Sequence, residues 1–166
     1  MTIPPFENDW ITDRVKAGRN PLTKADVQSL VADGITHVLD LRESHEWSSP
    51  WIGQDAIDEM AARGIVRLHL PIVDCCAPSL ETLDSAFDFI DDALDSPKGR
   101  VYVHCRAGIE RTGCVLAAWY GRKHGVGART ALRALQRRRS DLSPGWEQVE
   151  AVQQWLAGAS PEASSG

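Results

Sequence analysis

A cysteine, an arginine with five residues between them, and a hydroxyl directly after that arginine stand together in RVYVHCRAGIERTG, residues 100–113 of this chain of 166 residues. Val101 to His104 is β-branched and aromatic, which suits a buried strand. The loop opens at Cys105, and Arg111-Thr112 begins a helix. A strand–loop–helix turn of this kind aims successive backbone N–H groups and a helix N-terminus at one point, and that point is a phosphate-sized anion site. At the mouth of the loop the helix dipole and a nearby guanidinium both favour a thiolate. A thiol whose free pKa is about 8.5 can fall to ~3.5–7.5 in such surroundings and act as a nucleophile. Arg111 can curl back to the same centre and offer two phosphoryl oxygens a planar fork, a geometry that lysine lacks. A merely buried cysteine at a strand end would need none of Gly108, Arg111 and Thr112.

The segment HCRAGIERT resembles the H-C-x-x-G-x-x-R-[ST] phosphate-binding loop of the cysteine-dependent tyrosine and dual-specificity phosphatases. HVLDLR, the LPIVD loop and a helix over 79–95 follow the order of the dual-specificity group, so the resemblance runs from about residue 10 to residue 157. The chain is short for the larger tyrosine-specific enzymes and shows no segment like their phosphotyrosine-recognition loop, which leaves the compact dual-specificity group as the nearer one. Low-molecular-weight phosphatases and some arsenate reductases carry their cysteine motif near the N-terminus, and position 105 argues against both. Rhodanese-like sulfurtransferases are the runner-up, with Arg111-Thr112 and an upstream acid counting against them.

The resemblance implies a phosphate monoester hydrolase, a protein phosphatase acting through a cysteinyl-phosphate, with no metal and no cofactor. Cys105 would be the nucleophile, and Arg111 with the loop from Cys105 through Arg106, Ala107, Gly108, Ile109 and Glu110 would hold the phosphate. Thr112 would hydrogen-bond the sulfur, and His104 would orient the loop. Asp74 in LPIVDCCAP is the candidate general acid: it follows a strand over 65–70, so it sits at the carboxyl edge of a parallel sheet, where ligand loops gather. Asp55, Asp58 and Asp84 are alternatives on helical segments. Gln148 lies where some relatives position water, but its surroundings are not distinctive and it stays outside the catalytic set. Glu110 departs from the glycine common at its place, and Arg106, four residues earlier, is its expected cationic partner. Some lipid-directed relatives carry an acid there after a lysine, whereas Ile109 stands in the lysine's place here.

The elements that must position these residues read as α/β: a three-layer arrangement with a central, mostly parallel sheet and helices on both faces. Buried strands are expected at Ile35–Leu41, Ile65–Leu70 and Val101–His104, with an edge strand near Trp10–Ala17. Helices are expected over 21–33, stopped by Gly34; over Gln54–Arg63; and over 79–95, where Leu80, Leu83, Phe87, Ile90 and Leu94 share a face behind a Ser79 cap. Three more follow near 111–124, 128–138 and 145–157, the last opened by Ser143-Pro144 as cap and first residue. One domain, residues 1–157, and a disordered tail, 158–166, complete the expectation.

Composition sets the outer limits. At 43% hydrophobic and 25% charged the chain is globular, and its longest apolar run, Cys114–Tyr120, is far short of the ~20 residues that span a bilayer. A net charge of −5 argues against a dedicated nucleic-acid binder. Between Thr112 and Ser140 there is no acid, yet Arg122, Lys123, Arg129, Arg133, Arg137, Arg138 and Arg139 fall there. Solvated helix surface is the favoured reading of that run, and Arg129, Arg133 and Arg137 share one helix face. Cys75, Cys76, Cys105 and Cys114 form no C-x-x-C pair, so neither a disulfide framework nor a zinc site is expected. The loop that carries Cys75 and Cys76, beside the candidate acid, offers a resolving thiol for Cys105 and Cys114 is another, with burial the favoured reading for Cys76 and Cys114. The expected partner is a phosphorylated substrate, first of all a phosphoprotein; the compartment is the cytoplasm, since MTIPPFENDW carries no secretory signal. A phosphoinositide, an RNA 5′-phosphate or a recognition module without turnover stand as alternatives, and the oligomeric state is open.

Overall fold

The computed structural model of the chain describes residues 3–47 and 53–158. Five strands, β1 (Asn8–Trp10), β2 (Val15–Gly18), β3 (His37–Asp40), β4 (Val66–His69) and β5 (Val101–His104), form one sheet in the order β1-β2-β5-β3-β4. All neighbours are parallel except β1, which pairs antiparallel with β2. Six helices accompany them: α1 (Lys24–Ala32), α2 (Gln54–Ala62), α3 (Leu80–Asp95), α4 (Glu110–His124), α5 (Ala128–Gln136) and α6 (Trp146–Gly158).

Alternation along the strands divides the core in two. Val101, Val103 and Leu39 join residues of α3, α4, α5 and α6 on one face, while Val38 and Tyr102 meet Val27 and Leu30 of α1 and Ala56 and Met60 of α2 on the other. The expected three layers are therefore present, and β5 lies at the centre of the sheet. Its last residue, His104, stands in register with Gly18 on one side and Asp40 on the other, so three carboxyl ends meet where the loop begins.

The helix limits follow local chemistry. Thr23 and Asp26 form a reciprocal capping box on α1, Ser79 caps α3 through Thr82 N, and α4 ends at Gly125 in the left-handed conformation behind Arg122, Lys123 and His124. Leu83 and Ile90 of α3 are buried as the spacing predicts, but Leu80, in the first turn, is exposed.

Several expectations need correction. The segment near Trp10–Ala17 is a hairpin rather than one edge strand: β1 is the edge, and β2 is an interior strand with every residue buried, Lys16 included. β4 is the other edge and is only half-buried, with Val66 at the surface. α6 starts at Trp146, two residues after Pro144, because Gly145 accepts from Val149 N at the first turn. Of the tail expected to be disordered, residues 159–166 lie outside the described residues.

Candidate active site

The loop after β5 is built to leave donors free. Ile109, the residue that caps α4, offers no side-chain acceptor to the first turn, so the helix's N-terminal amides are not occupied by a cap. Gly108 has φ 71°, and a Cβ there would lie 2.1 Å from the Gly18 carbonyl oxygen, so neither the conformation nor the space admits a side chain. This is why the loop lies flat against the end of β2.

Arg139 fixes the loop from behind. It is buried, its Nε donates to Gly108 O at 2.8 Å, its Nη2 to Ala107 O at 3.1 Å, and its Nη1 to Asp9 Oδ2 at 2.8 Å. In a trans peptide plane the N–H points opposite to the C=O, so pinning these two carbonyls turns the amides of Gly108 and Ile109 to the other side of the loop. Arg139 thus leaves the solvated group in which the sequence placed it, whereas Arg129, Arg133, Arg137 and Arg138 are exposed as expected.

Cys105 is 3% exposed, and Thr112 Oγ1 donates to its sulfur at 3.1 Å. Arg111 is fully buried, and its guanidinium is divided between two tasks. Its end edge is taken by Glu46, with Nη1 on Oε2 at 2.8 Å and Nη2 on Oε1 at 2.9 Å, and Nη1 also donates to Ile72 O at 3.1 Å. Among the described residues its Nε has no hydrogen-bond partner and pairs with Asp74 Oδ1 at 3.5 Å. The side edge, Nε with the second Nη2 hydrogen, therefore remains for a second pair of oxygens. Burial alone would weaken the Arg111 charge, but Glu46, Cys105 and Asp74 outweigh it and hold its pKa above the ordinary value. Burial works against the Glu46 charge too, and the Arg111 bond still brings its pKa down.

Beneath the cysteine, His104 Nδ1 donates to Cys105 O at 2.9 Å, the only sense a carbonyl allows. Burial depresses its pKa to about 4 against the pull of Asp40, so the ring is neutral at physiological pH. Asp40, buried too, resists the cost of its own burial through His104, Arg42 and Arg67, and its pKa stands at about 2.

Asp74 lies on the loop after β4, with its side chain 58% exposed, and its backbone N–H makes a long bond of 3.5 Å to Glu43 Oε2. Glu110, at the start of α4, does not pair with Arg106. Its Oε1 accepts from Gln148 Nε2 at 3.0 Å, and its Oε2 faces Cys75 Sγ at 3.8 Å. Of the remaining cysteines, Cys114 is buried as expected and its thiol is pushed up to about 12, while Cys76 is exposed, contrary to expectation. Cys75 is exposed as well, and Glu110 and then Asp74 raise its thiol pKa, which works against the resolving role. Asp74, Cys105, Arg111, Thr112 and His104 thus gather at one sheet end, whereas Asp84 accepts from Trp155 Nε1 on the α3–α6 side. Glu46 and Arg139 were not singled out from the sequence, and no local pattern marks them, since both act across more than 30 residues.

Comparison with known proteins places this arrangement. The family model described as a polymorphic toxin system DSP-PTPase phosphatase matches residues 15–125, and the chain belongs to that family. Among curated proteins, dual specificity protein phosphatase 1 of Mus musculus is 40% identical over 63 residues, 38% of this chain and 17% of that protein. Dual specificity protein phosphatase 1B of Arabidopsis thaliana is 33% identical over 72 residues, 43% of this chain and 42% of that protein. The matched segments thus span less than half of these relatives. Among solved structures, PTPMT1 in complex with PI(5)P superposes with a TM-score of 0.83 at 25% identity, covering 94% of this chain and 98% of that one. Tk-PTP in its active form gives 0.78 at 30% identity, with 90% and 96% covered.

Proposed function

We propose that residues 1–157 form one catalytic domain that hydrolyses phosphate monoesters, phosphoproteins first, through a phosphocysteine at Cys105. The observation that carries this reading is the side edge of buried Arg111, which makes no hydrogen bond among the described residues and meets only the Asp74 carboxylate at 3.5 Å, beside a sulfur that already receives the Thr112 hydroxyl. Two phosphoryl oxygens would take that edge, the loop amides of residues 105–111 the third, and the sulfur would attack phosphorus in line. The ester oxygen leaves with the proton of Asp74. Water then attacks the phosphocysteine and gives a proton to Asp74, and the sulfur departs as a thiolate stabilised by Thr112. Arg111 and the amides supply the positive charge, so these steps invoke neither metal nor cofactor. Four free cysteines suit a reducing compartment such as the cytoplasm, and no helix among the described residues is long and apolar enough to cross a membrane.

The test of Asp74 is a series of aryl phosphates of graded leaving-group basicity, assayed with wild type and Asp74→Asn. The variant should lose about 10²–10⁴ in kcat/KM for basic leaving groups and little for activated ones, and the alkaline limb of its pH profile should flatten. An equal loss for every ester would assign Asp74 to loop structure.

A phosphoinositide substrate is a second reading, favoured by a cavity of about 650 Å³ beside the loop. Arg19, Arg42, His45 and Arg106 line it together with the carboxylates Glu7 and Glu46, and PTPMT1 was solved with PI(5)P. Parallel turnover of phosphopeptides and phosphoinositide vesicles decides between the two.

A further inference from the structure

The segment that carries Asp74 is exposed from Val73 to Ala77 and anchored by buried Ile72 and Pro78 at its two ends. Within it the Cys76 N–H closes a turn onto Val73 O, and Cys75 takes a left-handed φ of 62°. Its bonds to the rest of the molecule are few. Besides the long contact to Glu43, the loop's backbone is held by Gln148, whose Nε2 donates to Cys76 O at 3.0 Å. Gln148 is 1% exposed, and the same Nε2 donates its second hydrogen to Glu110 Oε1 while its own Oε1 accepts from Gly145 N at 2.8 Å. Both amide hydrogens are thus committed, one to the acid loop and one to the first residue of α4, which is continuous with the phosphate loop.

We propose that Glu110 and Gln148 form a latch between the two loops and are positioning residues for Asp74. The proposal rests on Asp74 being the general acid. It explains why a carboxylate stands in a loop meant for an anion: Glu110 is turned to the acid loop, toward Gln148 and Cys75, where its negative charge strengthens the bond it accepts. A glycine at that place could make no such link. The buried amide costs stability unless all its groups are paired, and here all of them are.

The test is kcat/KM for the graded aryl phosphates in Gln148→Ala, Gln148→Met, Glu110→Ala and Glu110→Gln, each alone and in the Asp74→Asn background. The latch predicts a loss of about 10-fold or more with Gln148→Ala and Glu110→Ala for basic leaving groups, and with Gln148→Ala only a small loss for activated ones. Glu110→Gln keeps an acceptor and should recover part of the loss. Once Asp74 is replaced, the Gln148 variants should cost nothing further. Vanadate affinity of the Gln148 variants should match wild type, which shows that the phosphate loop is still formed; Gln148→Met serves where the alanine leaves a damaging cavity. A loss equal for all esters, a loss additive to Asp74→Asn, or a fall in kcat with kcat/KM unchanged overturns the latch, the last by placing Gln148 at the water step. If Asp74→Asn alone shows no leaving-group dependence, the general-acid reading fails first and the latch with it.

Discussion

The two loops at the carboxyl end of the sheet are held in opposite ways. The phosphate loop is exposed at Arg106 and Ala107 but braced from behind: Gly18 packs beneath Gly108, Arg139 grips two carbonyls, His104 holds Cys105 O, and Thr112 meets the sulfur. The acid loop is exposed over its middle and attached through Glu43 and Gln148. A group that stabilises charge gains most from dipoles fixed before the reaction, whereas a group that delivers a proton must reach substrates of different shape. The difference teaches that substitutions in the first loop should act on every phosphate ester alike, and those in the second according to the leaving group.

Replacing Cys105 by serine is the most severe way to break the comparison. Turnover should vanish while vanadate still binds, because Gly18, Arg139 and His104 hold the loop without the sulfur. A turnover assay of the variant, set beside vanadate binding measured at equilibrium, checks both halves. Arg111→Lys comes next: the charge remains but neither edge of the fork does, so Glu46 and the phosphate cannot both be served. A loss on the order of 10²–10³ in kcat/KM is expected, independent of the leaving group.

Arg139→Met sharpens the same point at a distance from the chemistry. It leaves the Ala107 and Gly108 carbonyls unpinned and Asp9 without its Arg139 partner, so the two amides lose their imposed direction. Vanadate affinity and kcat/KM should fall together by roughly 10- to 100-fold for all esters, part of the loss that follows complete removal of one oxyanion donor. A strong leaving-group dependence in this variant would erase the distinction between the loops.

An effect on stability rather than on turnover appears in acid. His104 titrates near 4 when folded and near 6.5 when unfolded, so above pH 6.5 its burial as a neutral ring has no protonation cost. As the pH falls from 6.5 toward 4 the unfolded chain takes up the proton first, and stability drops by roughly 3 kcal/mol before levelling off. Asp40 works in a lower window: its stabilisation is present above 3.8 and is lost as the pH falls through 2. Melting temperature followed from pH 7 to pH 4 should decline in wild type and decline less in His104→Asn.

What the sequence discloses follows the same division. The motif from Cys105 to Thr112 is contiguous, and its strand and helix have strong local signals, so its geometry is legible from residue types alone. β2 is not, because Lys16 and Gly18 interrupt an already short apolar pattern, and Lys16 is buried only through Asp33 and the Trp10 ring. Asp74 is legible as a residue at a sheet edge, but its setting is not: Glu110 pairs with Gln148 rather than with Arg106, a choice made by the docking of α6. Glu46 and Arg139 are equally silent, since long-range packing alone brings a carboxylate from the turn after β3 and a guanidinium from the end of α5 to the same loop.

The central claim, that phosphate passes through the Cys105 sulfur, is tested most directly by mixing the protein with an aryl phosphate, denaturing it in alkali within one turnover, and mapping its peptides by mass. One phosphoryl group is expected on the peptide that contains Cys105 in wild type and none in Cys105→Ser. Turnover with no phosphoryl group on Cys105, or with the group on another residue, would contradict it.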